Sequence, residues 1–407
     1  MPQYRVFVTG GAGYVGSHCV LELLKSDYDV IAVDNLVNAI AGQDENSLPE
    51  SLRRVELLAG KKIEKFYKVD LNDEEQVMEI FKEHKFDAVI HFAALKAVGE
   101  SCQIPLAYYR NNICGTINLL EIMKKFGVKR FIFSSSATVY GIPKYLPIDE
   151  KHVTGLDVTN PYGRTKYFIE EILKDLSASE KGWCVTSLRY FNPVGAHESG
   201  EIGEDPQGIP NNLMPFVAQV AVKRRPYLNV FGNDFNTIDG TGVRDYIHIM
   251  DLAKGHVVTL DKMLKDNWTG WNVFNLGTGR GYSVLEVISA FKAATGVTIP
   301  HQITDRRAGD IDSSWGDVQM ANQKLGWKAE LTMKEMCEHT WRWQSKYPMG
   351  YRSGHLEPVI DGITSSVEKN GKTNGSNGSN GSNGNTDGNN NGKSELDVTK
   401  LKTLSAI

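Results

Sequence analysis

TGGAGYVGSH, residues 9–18, follows directly on RVFV (5–8) and runs into SHCVLELLKS (17–26). A β-branched run, a glycine-dense turn and an amphipathic helical pattern succeed one another within about two dozen residues. Gly11, Gly13 and Gly16 satisfy G-x-G-x-x-G, and Gly10, Gly13 and Gly16 satisfy the looser G-x-x-G-x-x-G. Placed between a strand and a helix, such glycines let the backbone approach a pyrophosphate at the helix N-terminus. Alone they could equally make a tight βα turn without a ligand. Asp34 decides between the two, because it ends the next apolar run, YDVIAVDN (28–35). A carboxylate there accepts hydrogen bonds from a ribose diol and repels a 2′-phosphate, so NAD is expected rather than NADP. Asp70, in KVDL (68–71), is a second acidic candidate, for the adenine end.

Working outward, KFYKVDL (65–71), DAVIHFAA (87–94), RFIFSSS (130–136) and CVTSLRYFN (184–192) repeat the short β-branched pattern, with amphipathic stretches between them. Strands alternating with helices predict an α/β fold: a doubly wound, Rossmann-type parallel sheet covered on both faces. The character changes after residue 192. Loops lengthen and strands shorten, which predicts a smaller α/β lobe over 193–357, with segments such as YLNVFG or NVFNLG returning to the first sheet. The dinucleotide domain is therefore read as 1–192. Residues 358–407 are rich in Asn, Gly and Ser, a composition that buries no core and predicts disorder.

The chain has 407 residues and a formal net charge of −4 with mixed signs, which gives no electrostatic case for nucleic acid. No apolar run is long enough to span a membrane, and the N-terminus enters a strand without a signal-peptide core. Five scattered cysteines without a CxxC pair fit buried, reduced thiols in a cytoplasmic protein rather than disulfides or a metal site.

NPYGRTKY (160–167) carries Tyr162 and Lys166 at i, i+4 on a predicted helix, with Asn160 as N-cap and Pro161 in the first helical position. A second Tyr-x3-Lys, Tyr140 and Lys144, encloses Gly141 and Pro143 and reads as a loop. The fifth predicted strand ends at Ser136, facing the ligand crevice of an open α/β sheet. Ser136, Tyr162 and Lys166 can therefore converge over a nicotinamide. A phenol has a pKa near 10 in water, and a neighbouring ammonium together with an oxidised cofactor would draw it down toward a working base.

The glycine turn, SSSATVYG (134–141) and YGRTK (162–166) resemble the extended short-chain dehydrogenase/reductase superfamily. HFAALKAVGES (91–101), YYRNNICGT (108–116), RYFNPVGAH (189–197), NNLMP (211–215), FGNDFNTIDGTGVRDYIHIMDLA (231–253) and RAGDIDSSW (307–315) are similar, in order, to blocks of the UDP-glucose 4-epimerase family. The resemblance covers about residues 3–350. It implies Tyr162 as base, Lys166 as its activator and Ser136 as a hydrogen-bond partner of the sugar O4. It implies NAD contacts at Gly10, Gly13, Tyr14, Val15, Gly16, Asp34, Asn35, Asp70, Leu71, Phe92, Ala93, Lys96, Asn111 and Tyr190. It further implies that Asn192, Asn212, Leu213, Phe231, Arg244, Arg307 and Asp310 hold the UDP portion, and that Ser314, small where some relatives carry an aromatic ring, leaves room for an N-acetyl group. Arg244 and Arg307 stand in glycine-rich, charged stretches that read as loops, and their guanidinium forks suit phosphate oxygens. A homodimer, a 4-keto intermediate and a role in galactose metabolism complete the expectation. Two other readings stand beside it. A 4,6-dehydratase would need an Asp-Glu pair where this chain has Ala137 and Thr138, and a non-catalytic NAD-binding regulator would have no use for both Tyr162 and Lys166.

Overall fold

The computed structural model describes residues 4–44, 47–266, 268–307 and 309–352. The Asn/Gly/Ser-rich tail lies outside the described residues. The first half runs β1 (Arg5–Thr9), α1 (Tyr14–Lys25), β2 (Asp29–Asp34), α2 (Glu50–Ala59), β3 (Lys65–Lys68), α3 (Glu74–Glu83), β4 (Ala88–His91), α4 (Val98–Gln103), α5 (Pro105–Tyr109), α6 (Gly115–Lys125), β5 (Arg130–Ser136), α7 (Pro161–Ser179) and β6 (Cys184–Tyr190). The second half adds β7 (Asn192–Val194), α8 (Leu213–Ala221), β8 (Leu228–Phe231), β9 (Val243–His248), α9 (Ile249–Lys265), β10 (Gly270–Leu276), β11 (Gly281–Ser283), α10 (Val284–Thr295), β12 (His301–Thr304), β13 (Ser313–Ser314) and α11 (Met333–Lys346).

Seven parallel strands form the main sheet in the order β10-β6-β5-β4-β1-β2-β3. The order reverses between β1 and β4, which places the ligand crevice at the C-terminal ends of those strands. One face is covered by α1, α2 and α9, packing Leu23, Val55 and Leu260 over Val6, Val30 and Ile90. The other is covered by α3, α6 and α7, packing Phe81, Leu119 and Leu173 over Phe7, Val89 and Phe131. Central strands buried on both faces explain the continuous apolar runs in the sequence.

Six of the seven strands are those expected from the first half. The seventh, β10, carries NVFNLG back to the sheet edge beside β6, and α9 returns with it. YLNVFG does not return: β8 pairs in parallel with β12 in a separate two-stranded sheet. The remaining short strands gather on β9, which pairs with β7, β11 and β13. A second apolar core lies between α8, α10 and α11, around Val217, Phe291 and Met336. All five cysteines are free, but only Cys19, Cys184 and Cys337 are buried; Cys102 and Cys114 are exposed, contrary to the expectation of buried thiols throughout.

Three histidines are sealed into this framework in the neutral form. His91 sits between the hydroxyls of Thr9 (2.7 Å) and Thr116 (2.9 Å), and burial lowers its pKa to about 3. His18 donates from Nδ1 to the Tyr14 carbonyl and His256 to the Leu252 carbonyl; burial lowers both to about 4. Unfolding would return each to its ordinary value of 6.5. Below that pH the unfolded chain binds protons that the folded chain refuses, so stability falls as pH drops from 6.5 toward 4. Each group contributes on the order of 1 kcal/mol per pH unit in that window. Urea denaturation is expected to give a clearly lower midpoint at pH 5 than at pH 7; equal midpoints would contradict the neutral burial of these rings.

Candidate active site

The glycine turn closes on itself so tightly that side chains are excluded. Gly10 holds φ +67°, and a Cβ there would lie 2.7 Å from the Ala93 nitrogen. A Cβ at Gly16 would lie 2.1 Å from the Gly10 carbonyl oxygen. Gly13 caps α1 without any side-chain hydrogen bond, and the first turn of α1 contains no acidic residue. The N-terminal amides and the positive end of the helix dipole are thus left for an anion. Asp34 stands at the end of β2, accepting the Ala12 and Leu36 amides at 3.1 and 2.8 Å, while burial raises its pKa. Asp70, just past β3 rather than within it, accepts Asn35 Nδ2 at 2.8 Å. These groups suit a dinucleotide: a bare amide cradle for phosphates, then a carboxylate for a diol.

The rest of that crevice comes from β4 and the π turn at Arg110–Cys114. Phe92 and Ala93 follow β4, with the Phe92 ring 4.9 Å from His256. Leu71 is buried, and Val15 packs against the core beside Tyr14. Asn111 donates to Asn112 Oδ1 at 2.9 Å. Asn112, which no motif reading singles out, is buried and ties Leu95 to Thr165. Only its burial marks it out, and burial has no local signal. Tyr190, at the end of β6, is buried against His256. Tyr14 donates to the Gly195 carbonyl at 2.7 Å, and Lys96 reaches over the Tyr14 ring, 5.8 Å from its centroid.

At the end of β5, Ser136, Tyr162 and Lys166 do converge. Asn160 caps α7 by accepting the Gly163 amide at 2.8 Å, with Pro161 in the first turn. Tyr162 and Lys166 therefore share the face packed on β5. Lys166 is buried, not solvated, and donates to the Ser134 carbonyl at 2.6 Å. Its ammonium lies 5.9 Å from the Tyr162 ring centroid and 4.8 Å from that of Phe133. The chain's own groups act on the pair mainly through burial. Burial pushes the Tyr162 phenol up to about 12, with the Ser136 hydroxyl pulling the other way. Burial likewise lowers Lys166 to about 7, partly offset by Glu170. The chain's own groups therefore leave the phenol protonated, and the Lys166 charge is conditional rather than permanent. Thr138, which stands where a dehydratase would carry an acid, has a buried hydroxyl without a hydrogen-bond partner among the described residues. The second Tyr-x3-Lys is separate: Tyr140 is buried on Asn275, and Lys144 pairs with Asp157.

The chain beyond β6 supplies a cationic group of its own. Arg307 pairs with Asp310 at 2.9 and 3.1 Å, and its guanidinium lies 4.7 Å from the Phe231 ring centroid. Arg244 is on β9, not in a loop as its glycine-rich context suggested, beside Ser314 of β13. Asp310 and Arg307 both act on it electrostatically. Asn192 opens β7, and Asn212 caps α8 just before Leu213. The structure thus gathers Phe231, Arg244, Arg307, Asp310 and Ser314, and sets Asn192, Asn212 and Leu213 on neighbouring elements.

A doubly wound sheet, a side-chain-free phosphate cradle and a half-buried Tyr/Ser pair beside a buried Lys define a dinucleotide-dependent enzyme of the short-chain dehydrogenase/reductase type. Residues 7–340 match the family model described as GDP-mannose 4,6 dehydratase. The chain is 61% identical over 351 residues to UDP-glucose 4-epimerase of Drosophila melanogaster, covering 86% of this chain and 99% of that one. It is 56% identical over 347 residues to the Homo sapiens UDP-glucose 4-epimerase, covering 85% and 98%. The crystal structure of UDP-glucose 4-epimerase from Bifidobacterium longum in complex with NAD+ and UDP superposes with a TM-score of 0.80 at 53% identity, over 85% of this chain and 99% of that one. The chain belongs to the UDP-glucose 4-epimerase family.

The geometry of the turn separates two glycines. A Cβ at Gly13 meets only the Gly10 carbonyl oxygen, at 3.3 Å. Gly13→Ala is expected to melt within a few degrees of the wild type yet retain much less NAD after gel filtration, because the added methyl occupies the phosphate approach. Gly16→Ala is expected to lower the melting temperature substantially as well. Full NAD retention by Gly13→Ala would contradict the cradle.

Proposed function

We infer that the protein is an NAD-dependent isomerase that interconverts UDP-galactose and UDP-glucose. The observation that carries this reading is the convergence of Ser136, Tyr162 and Lys166 at the end of β5, one crevice away from the glycine turn. Bound NAD+ supplies reversible acceptance of the C4 hydride, so that C4 passes through a ketone. Tyr162 takes the O4 proton on one pass and returns it on the other. The Ser136 hydroxyl is placed to hydrogen-bond both the phenol and a sugar oxygen, which holds the two reacting oxygens together. Lys166, once charged, favours the phenolate. Because burial opposes both charges, each added positive charge in this low-dielectric site acts more strongly than it would in water.

Arg244 and Arg307 are suited to a diphosphate and Asp310 to a ribose diol, with Phe231 offering a face for the uracil. For that role the carboxylate of Asp310 must serve a ribose as well as Arg307. A firm hold on UDP lets the ketone turn about its diphosphate link without escaping. Gly10, Gly13, Tyr14, Val15, Gly16, Asp34, Asn35, Asp70, Leu71, Phe92, Ala93, Lys96, Asn111 and Tyr190 form the wall assigned to the cofactor. Ala137 and Thr138 offer no acid or base for dehydration, which favours epimerisation over the chemistry named in the family model.

Galactose metabolism in the cytoplasm fits this activity and the five free thiols. Among the described residues no helix is long and apolar enough to cross a membrane. A homodimer is supported by an apolar surface on adjoining helices: Leu106 on α5 is 81% exposed and Phe168 on α7 is 42% exposed, with Tyr109 packed beside Phe168. Sedimentation at micromolar concentration is expected to give a dimer; a Leu106→Lys variant running at the same mass would contradict the assigned face.

Purified protein given UDP-galactose without added NAD is expected to yield UDP-glucose, because the cofactor travels with the enzyme. Tyr162→Phe is expected to keep its NAD and lose at least about a thousandfold in turnover, the scale of a positioned base. Undiminished epimerisation by that variant would refute the mechanism. Ser314 leaves space at C2 beside Arg244, so UDP-GalNAc is expected to turn over too. Ser314→Tyr is expected to abolish that second activity and spare UDP-galactose, and loss of both together would refute the role of Ser314 in substrate breadth.

A further inference from the structure

Glu204 belongs to neither the cofactor wall nor the UDP group, yet it stands at the mouth of the cofactor crevice. Its carboxylate oxygen Oε1 is 3.1 Å from Lys96 Nζ and 3.4 Å from Asn212 Nδ2. Lys96 comes from the loop after β4, and its side chain is 52% exposed; the Glu204 side chain is only 10% exposed. The pair bridges the edge of the crevice built by β4 and the loop that leads from β7 into the second lobe. Beneath it lies Tyr14, the first residue of α1, whose phenol feels the Glu204 charge.

The two partners differ in how firmly they are held. A lysine on a half-exposed loop has a flexible four-carbon stem and loses much rotamer freedom when fixed. Glu204 sits on a loop fastened from behind. The Glu204 carbonyl accepts Trp343 Nε1 at 3.2 Å, Gly203 bonds the Tyr351 hydroxyl at 3.3 Å in both directions, and the Asp205 carboxylate accepts the Tyr351 amide at 3.0 Å. Arg54 of α2 reaches the Glu201 carbonyl at 3.0 Å with its guanidinium 4.0 Å from the Tyr347 ring centroid. The carboxylate is the fixed member and the ammonium the adjustable one.

We propose that Glu204 is a positioning residue for the cofactor: it holds the Lys96 ammonium over the N-terminus of α1, where that cation faces the pyrophosphate. This rests on the reading that the glycine turn binds NAD. An ammonium has three donors, so Lys96 can keep Glu204 and still offer two to phosphate oxygens. Without Glu204 the described partner left to Lys96 is the Tyr14 ring, 5.8 Å from its ammonium, a contact too weak to hold an exposed lysine, and the side chain turns to solvent. The link to Asn212 makes the same carboxylate a strut between the cofactor mouth and the start of α8.

The test is a double-mutant cycle on NAD release from the intact enzyme. Wild type, Glu204→Gln, Lys96→Met and the double variant are gel-filtered, and loss of bound NAD is timed in buffer. Each single variant is expected to release NAD about tenfold faster than the wild type, with the double variant no faster than either single one. Melting temperatures of the NAD-free forms report whether the loop has come apart, a purely structural effect that would add to Lys96→Met instead of being absorbed by it. Additive effects, or slower release from Glu204→Gln, would overturn the positioning role. If the wild type retains no NAD at all, the cofactor reading itself fails, an outcome distinct from a wild type and Glu204→Gln that release NAD at the same rate.

Discussion

The ion pair between Glu170 of α7 and Arg189 of β6 is buried, with side chains 0% and 2% exposed, and much of the site is hung from it. Two contacts, at 2.6 and 3.0 Å, join the carboxylate to the guanidinium. The same carboxylate accepts the Ser135 hydroxyl of β5 at 2.6 Å. Arg189 also donates to the Tyr140 hydroxyl at 3.0 Å, which in turn donates to Asn275 of β10 at 2.6 Å. One network therefore locks a helix to three neighbouring strands. A buried pair of this kind is weak evidence of net stability, since desolvation offsets its attraction, but losing one partner costs about 3–5 kcal/mol. Its value here is registry. With α7 fixed against the end of β5, Lys166 meets the Ser134 carbonyl and Tyr162 meets Ser136.

That placement creates an electrostatic tension. Burial drives the phenol up to about 12 and the ammonium down to about 7, so both groups lean toward neutrality at physiological pH. A low-dielectric pocket that disfavours isolated charge is also one in which a correctly placed charge has the greatest leverage. In the proposed mechanism, the group is quiet in the chain alone and would become a base once the oxidised cofactor adds its positive charge. The arginine group beyond β6 follows a different rule. Arg307 is half-exposed and already paired with Asp310, a water-accessible arrangement that can exchange partners at small cost.

Local signals are legible in the sequence because local physics decides them. The strand–glycine–helix passage, Asp34 at the end of β2, and the Asn160–Pro161 start of α7 depend on neighbours within a few residues. What the sequence hides depends on distant packing. Nothing in NVFNLG distinguishes it from YLNVFG, yet only the former joins the main sheet, because α9 delivers it to the β6 edge. Arg244 reads as a loop residue because glycines surround it, although β11 and β13 pair with that stretch as a strand. The upward push that burial gives the Tyr162 phenol is also hidden, because desolvation has no signature in sequence, whereas a lysine four residues away does. Glu204 is invisible for the same reason: its partners are more than a hundred residues away on one side and eight on the other.

The most direct test follows an isotope. UDP-galactose carrying deuterium at C4 of the sugar is converted in ordinary water, and the UDP-glucose formed is examined by mass spectrometry and proton NMR. If Tyr162 handles only the O4 proton while the hydrogen on C4 leaves and returns within the closed site, the deuterium remains on C4 in full. Its replacement by solvent hydrogen would mean that C4 is deprotonated to water, and hydride transfer within the closed site would be ruled out.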